Sequence, residues 1–556
     1  MGQNDPRAEP LAHWPLASDY TDATGKTAPA RNEGAAFDAH EPGGGASFSG
    51  QGGAIEVVGA AGLLGSRAFS VSARVKLSET DDDVPGDIIS CFDPASRRGF
   101  SFGVQTLAGV ASSQSNTRNL TFAVDGGDDP SEWVDCGRPG NAIYACAMAV
   151  YDGDLYAGTF ETGETESGHV YRYDGGDVWV DCGAPDSCNA VTALAEFQGT
   201  LYAGVSHYRS VGSSLEESAN MYPGGRIYRY EGGSRWTDCG KLGGPGTSAE
   251  TAAYTDYMKR FAGWRPDEVD GIHGLVAFGG ALYAIPMYHQ GLFRYEGGTE
   301  WADCGSPGVR LMSLGVHNGG LYGAGNEGDK HGGVYRYDRD GTWTRTGDQA
   351  GVDQVYSFVT YEGDMYVGTW PDATVFRYDG GDTWVDAGRL GGELEVMGMA
   401  VYNGKLYAGS LPLAEVYRYD GGREWVRTGQ LDTTPDVKLR RAWSMAVFGG
   451  KLYCGTLPSG HVYALETGAC VTHDRAFPDG WHHVAAVGDA DGLRLFLDGE
   501  QVASSGTPLP DGWAPTTECP LRIGSGPNDT FYGSLADVRI YDRALSAEEV
   551  GTLSAG

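Results

Sequence analysis

Lysine is the scarcest of the common charged residues in this chain, with eight copies in 556 residues. Together lysine and arginine number 40 against 74 acidic residues, a net charge of -34. A surface of that sign repels phosphate backbones and anionic lipid, so neither nucleic acid nor a membrane is expected as a partner. An Asp/Glu-rich, Lys-poor composition also suggests a halophilic protein. Long apolar runs are missing, and no segment approaches the roughly 20 residues needed to span a bilayer. The opening Met1-Gly2-Gln3-Asn4-Asp5-Pro6-Arg7 has no apolar leader core. The expectation is a soluble protein, cytoplasmic as the chain stands or extracellular if a leader has been removed. There are ten cysteines but no Cys-x-x-Cys pair, which excludes the usual redox and zinc spacings. Phosphate-binding loops, nucleophile elbows and zinc signatures are absent too.

What the chain has instead is glycine, aromatics and repetition. Its 88 glycines far exceed an average share of about 7% and suit many tight turns between short strands. Gly153-Asp154-Leu155-Tyr156-Ala157-Gly158 is followed by Val170-Tyr171-Arg172-Tyr173-Asp174-Gly175-Gly176 and then Trp179-Val180-Asp181-Cys182-Gly183. This order of parts returns at spacings near forty residues, with Leu-Tyr at Leu155, Leu201, Leu282, Leu321, Leu406 and Leu452, and Met365-Tyr366 as a variant. Units of that length with about four strands each suit propeller blades. Cys136, Cys182, Cys239 and Cys304 share one repeat position and read as buried free thiols. The arginines at 172, 229, 294, 336, 377 and 418 also share one position, which assigns them to cross-strand ion pairing or solvation. Trp133 precedes the first complete unit, while no matching Trp follows Val462-Tyr463-Ala464. The strand at Trp133 is therefore expected to complete the last blade beside Val462 and Tyr463, closing a ring of seven.

The flanks have a different texture. Ala54-Ile55-Glu56-Val57-Val58 and Phe69-Ser70-Val71-Ser72-Ala73-Arg74-Val75-Lys76-Leu77 alternate as strands do, and the same pattern resumes after residue 470. Neither flank has enough strands for two packed sheets. Trp481-His482-His483-Val484-Ala485, Leu495-Phe496-Leu497-Asp498-Gly499, Leu521-Arg522-Ile523-Gly524 and Asp537-Val538-Arg539-Ile540-Tyr541-Asp542-Arg543-Ala544-Leu545-Ser546 resemble the laminin-G-like, concanavalin A-like jelly roll. Trp14-Pro15-Leu16 and Phe69 to Val75 look like that family's N-terminal half. The Tyr-Asp-Gly-Gly plus Trp of the repeats resembles the Kelch pattern, although the usual Gly-Gly ending the second strand is mostly Ala-Gly or Val-Gly here. The reading is an all-β chain, a seven-bladed β-propeller at 128–466 inserted into a two-sheet jelly-roll sandwich made of 8–127 and 467–556. The resemblance implies carbohydrate binding and a structural calcium ion, for which Asp537 is the matching position.

Chemistry is expected where loops are long, between Thr159 and His169, Val205 and Arg226, and Lys241 and Ile272. The position five before each first-strand aromatic, or before His317 in the fourth unit, reads Cys146, Thr192, His273, Met312, Tyr356, Met397 and Trp443, which should ring the central mouth. His273 is the one imidazole in that ring. His289, Tyr288 and Arg310 are expected beside it as catalytic candidates, with His207, Tyr208, Arg209, Tyr356 and Trp443 as binding residues and His331 nearby. Such a set is able to remove a proton from the carbon next to a uronate carboxylate, Arg neutralising the carboxylate and His or Tyr serving as base and acid. The constellation looks like that of the seven-bladed polysaccharide lyases that cut ulvan. Two functions therefore stand open. One is a glycan- or partner-binding protein using aromatics such as Tyr254, Tyr257, Trp264, Trp370 and Trp443; the other is a lyase or glycosidase acting on an acidic polysaccharide.

Overall fold

A computed structural model of the chain describes residues 9–37, 44–59, 68–80, 82–127, 132–251, 267–326, 332–349, 351–509 and 519–555. Tyr254, Tyr257, Trp264 and His331 lie outside the described residues. The described chain is almost entirely β, with one α-helix at Ala547–Ser554 started by a capping box between Ser546 and Glu549.

The two flanks make a pair of antiparallel sheets, one of eight strands and one of seven. Neither flank completes a sheet alone. Phe69–Leu77 is hydrogen-bonded on one side to His482–Asp489 and on the other to Tyr532–Tyr541. In the second sheet Ser113–Gly126 pairs with Ala469–Ala476, placing Val124 opposite Ala469. Phe69, Val484 and Ile540 from the first sheet meet Ile89, Phe100 and Phe122 from the second in one buried core. Alternation along each strand supplies the apolar face that this packing needs.

The middle of the chain forms a propeller-like ring of sheets. Five are separate and four-stranded, while Tyr144 to Lys241 contribute one continuous eight-stranded sheet, joined where Phe160 pairs with Ala190. The expectation of seven separate blades is thus corrected. The strand Asp154–Phe160 reaches far enough to bond with the next unit, so two repeats share a ladder instead of standing apart. Trp133–Asp135 pairs with Val462–Leu465, Trp133 facing Leu465 and Asp135 facing Tyr463. Ser444 donates to the carbonyl of Ala145 at 3.0 Å, linking the last sheet to the first.

The Trp-x-Asp-Cys-Gly motif has a role at each atom. The indole Nε1 of Trp179, Trp236 and Trp301 donates to the carbonyl of Cys136, Cys182 and Cys239 in the preceding unit, at 2.8–2.9 Å. The motif's Asp accepts from the glycine amide two residues on, as at Asp181 and Gly183 (2.7 Å). Those glycines hold positive φ, +85° at Gly183, which is why that place is glycine. The repeated arginines pair with carboxylates, for example Arg229 with Glu231 and Arg294 with Glu296 at 2.7 Å. All ten cysteines are free, and nine are buried.

One feature of the fold has no counterpart in the repeat pattern. Arg98–Val110 and Ser113–Gly126 form a long hairpin whose root lies in the seven-stranded sheet and whose tip enters the channel of the ring. Its side chains bond to the inner strands all round. Asn116 donates to the Val447 carbonyl at 2.7 Å and accepts from the Val447 amide at 3.0 Å. Gln105 donates to the Val401 carbonyl at 2.7 Å, and Gln114 accepts from the Ala277 amide at 2.8 Å. Ser113 Oγ accepts from the Leu194 amide at 3.2 Å, and Ser313 Oγ donates to the Gly109 carbonyl at 3.1 Å. An innermost strand has one unpaired edge, and buried backbone groups on it need partners. Here the hairpin supplies them.

Candidate functional site

Beyond the hairpin tip the channel opens into a cavity of about 110 Å³, with Ser112 of the tip at its lining. That volume is on the scale of the roughly 150 Å³ cavity that accepts a single benzene ring. Of the seven residues expected to ring the mouth, Cys146, Thr192, His273, Met312, Tyr356 and Trp443 line it. Met397 does not; it is fully buried in the surrounding apolar cluster.

A second tier of lining residues lies two positions earlier on the same strands: Tyr144, Arg310, Gln354 and Arg441. Successive side chains of a strand alternate, so positions two apart share a side. This signal was present in the sequence, and applying it would have named Tyr144, Gln354 and Arg441, which the mouth ring alone missed. The loop between Val205 and Arg226 adds Tyr208, Arg209 and Ser213. The loop is anchored by Asn189, which accepts from the Tyr208 amide (2.7 Å) and donates to its carbonyl (3.0 Å).

Among the expected catalytic residues, His273, Tyr288 and Arg310 converge on the cavity, and His289 does not. Tyr288 takes the cavity side of its loop, and His289, 1% exposed, is buried outside the lining. Of the expected binding residues, Tyr208, Arg209, Tyr356 and Trp443 line the cavity. His207 stands behind it, its Nδ1 3.9 Å from Asp270. Asp537 lies in the eight-stranded sheet of the two-sheet unit, its carboxylate engaged by Arg539 (2.8 Å) and His13 (2.6 Å). Among the described residues no group of three His, Cys, Asp or Glu side chains is placed to hold a metal ion.

Rings dominate the walls. Trp443 meets Tyr144 edge to face at 5.7 Å, Tyr356 at 6.2 Å and His273 at 6.5 Å. Burial holds the hydroxyls of Tyr144, Tyr288 and Tyr356 above the usual phenol range, so they are neutral donors and acceptors. His273 is 4% exposed, and neither ring nitrogen has a hydrogen-bond partner. Burial, helped by the Arg310 charge, holds its pKa down at about 3, which makes it a neutral imidazole.

Three guanidinium groups face the cavity. Arg209 is neutralised by Asp270 (Nη1 to Oδ1, 3.2 Å), lies over the Tyr288 ring at 4.7 Å, and has its amide bonded to Tyr288 Oη at 2.9 Å. Arg310 donates to the Met287 carbonyl at 2.8 Å and to Asn326, which continues through Gln354 to Tyr356 Oη. Arg441 Nη1 donates to Tyr208 Oη (3.2 Å) and Ser213 Oγ (2.6 Å), and the group lies 5.7 Å from the Trp443 ring centre. An orphaned imidazole and a network of donors around an aromatic slot is the pattern of a site that completes its bonding with a ligand.

The class of protein defined here is all-β, a propeller-like ring joined to a two-sheet unit through a hairpin. A family model described as the concanavalin A-like lectin/glucanases superfamily matches residues 425–551, spanning the last strands of the ring and the C-terminal strands of the two-sheet unit. No curated protein matches the chain. Among solved structures, a catalytically inactive virginiamycin B lyase from Staphylococcus aureus with quinupristin is similar over 60% of this chain and 99% of its own, at 10% identity and a TM-score of 0.42. The extracellular domain of the putative one component system BT4673 from B. thetaiotaomicron is similar over 66% of this chain and 46% of its own, at 11% identity and TM-score 0.41. A Trypanosoma rangeli sialidase with the inhibitor DANA is similar over 77% of this chain and 98% of its own, at 12% identity and TM-score 0.30. At such distances no activity transfers. No helix among the described residues is long and apolar enough to cross a membrane.

Proposed function

We propose that this is a carbohydrate-recognition protein in which a laminin-G-like jelly roll, residues 8–127 with 467–556, carries a ring at 128–466 whose mouth receives one sugar-sized unit. The observation that carries this reading is His273, buried with both nitrogens unbonded in the wall of an aromatic cavity. An unsatisfied buried polar group costs about 1–3 kcal/mol, and a ligand hydroxyl recovers it. Ring faces such as Trp443 and Tyr144 stack on the apolar side of a pyranose while the neutral phenols bond its hydroxyls. The cavity's size favours the end of a glycan over an internal segment of a polymer. Glycan-array screening followed by calorimetry tests this: His273→Ala is expected to weaken the best ligand at least about tenfold. Absence of binding to any glycan refutes the reading. A structural calcium ion at Asp537 would have to displace Arg539 and His13, and recognition at the mouth does not call for one.

The same imidazole supports a second reading, a lyase on the end of an acidic polysaccharide. His273 is placed to accept the proton from the carbon next to a carboxylate, with Arg310 stabilising the charge that develops and Tyr288 supplying a proton to the leaving oxygen. Burial makes the empty-site imidazole a weak base and the phenol a weak acid, so this reading requires the bound carboxylate to raise the basicity of His273. Incubation with uronic-acid polysaccharides and ultraviolet detection of unsaturated products decides it. A rise that His273→Ala abolishes supports catalysis, and no rise with any substrate leaves recognition alone.

A further inference from the structure

Arg441 was not drawn to attention by any motif, yet its surroundings differ from those of the arginines paired with carboxylates. The chain carries a net charge of -34, and most of its arginines sit against carboxylates. Arg441 has no carboxylate within ion-pair distance among the described residues; its partners are two hydroxyls, Tyr208 Oη and Ser213 Oγ. Its Nε is buried and without a partner. The carboxyl that acts on it electrostatically is Glu395, a buried group that sits two positions before Met397 and outside the cavity lining. Burial pushes the Glu395 pKa up to about 7, so it is a weak counter-charge at neutral pH.

Arg441 lines the cavity with its guanidinium held through Nη1 by two hydroxyls and by no carboxylate. A guanidinium is a planar fork of donors that matches the geometry of a carboxylate. Arg441 is half-buried, so a cation without an ion-pair partner there is only partly hydrated and attracts an anion that enters the cavity. Arg310, on the neighbouring tier position, lines the same cavity and adds positive potential. Arg209 contributes little, because Asp270 already neutralises it. Tyr208 and Ser213 come from the Val205-to-Arg226 loop, so that loop is what orients Arg441.

We infer that the unit received at the mouth is a uronic acid, its carboxylate taken by the Arg441 guanidinium and its ring stacked on Trp443. This rests on the carbohydrate-recognition reading and adds the charge of the sugar to it. Calorimetric titration of the full-length chain with D-glucuronate and D-galacturonate, beside D-glucose and D-galactose, is the test. Each uronate is expected to bind at least about tenfold more tightly than its neutral hexose, the range for one charge-assisted bond. Arg441→Gln is expected to erase that preference, bringing the uronate affinity down to that of the neutral hexose measured on the same variant. Arg441→Lys, which keeps the charge and lacks the planar fork, should lose most of the preference as well, and near-ultraviolet circular dichroism checks that both variants fold. Equal affinity for uronate and hexose in the unaltered protein overturns the inference and leaves sugar recognition standing. A preference that persists in both variants assigns the carboxylate to another group and also overturns it. Failure of all four sugars to bind refutes the recognition reading itself and the inference with it.

Discussion

The two ends of the ring's channel are built from the same strands and treated in opposite ways. At the end facing the two-sheet unit, the inner-strand amides and carbonyls named above find partners on the hairpin, down to Asn116 satisfying both backbone groups of Val447. At the mouth, His273 has neither nitrogen satisfied and Arg441 keeps an unbonded Nε. Buried polar groups in folded proteins are nearly always paired. At the plugged end the inner-strand backbone groups named above are paired, which supports stability, while Ser115 Oγ and Asn119 Nδ2 of the hairpin stay unpaired in closed packing. At the mouth the unpaired groups belong to residues that line an open cavity, which marks function.

Substitutions at each end should separate these roles, and the largest effect belongs to the root of the hairpin. Lys405 and Asp125, both fully buried, form an ion pair there, with Lys405 also donating to Thr467 Oγ1 at 3.0 Å. Lys405→Met strands a buried carboxylate and is expected to cost about 3–5 kcal/mol in denaturant unfolding. Higher in the channel, Asn116→Leu leaves the Val447 amide and carbonyl unpaired, an expected loss of about 2–4 kcal/mol at one to two per group. If either variant is as stable as the parent, the hairpin is not the support described.

The mouth should respond in the other direction. His273→Leu removes two unsatisfied nitrogens from an apolar wall and is expected to raise stability by about 1 kcal/mol while destroying ligand binding. A stability loss of the size seen for Asn116→Leu would mean that the two ends do not differ in kind.

The smallest effect is a dependence on pH. Burial raises Asp87, Asp474, Glu196 and Glu395 to about 7, and raises Asp83 and Asp529 as well. A carboxyl whose pKa is higher in the folded state than in the unfolded chain favours folding while protonated, and that advantage fades as pH rises from the unfolded value near 4 toward 7. The melting temperature is therefore expected to climb as pH falls from 8 to 5.5, then drop below about 4 as carboxylates held below their usual range by hydrogen bonds and ion pairs, such as Asp22, Asp537 and Glu549, protonate. Asp87 and Asp474 lie outside the mouth, so a ligand at the mouth should leave most of this slope in place. A flat profile between pH 5.5 and 8 would show that these carboxyls are not buried as described.

Much of this architecture was legible in the order of residues. A recurring Leu-Tyr, Tyr-Arg-Tyr and Trp-x-Asp-Cys-Gly announces repeated sheet units, because each position answers to a local need: an indole reaching the neighbouring unit, an aspartate capping a glycine turn. The orphan position of Trp133 was enough to place it beside Tyr463. Counting strand positions from each terminal aromatic located six of the residues that line the cavity. Those are consequences of periodicity, which any strand expresses in its own sequence.

Three things were settled only by the tertiary structure. Two repeats share one eight-stranded sheet because Phe160 happens to reach Ala190, and no local pattern encodes that reach. The hairpin fills the channel because closing the ring exposes inner edges that residues 98–126, distant in sequence, are shaped to satisfy. Arg441 meets Tyr208 and Ser213, more than two hundred residues away, only after the ring has closed. Local chemistry specifies strands and turns, whereas a binding site depends on which loops the closed ring brings face to face.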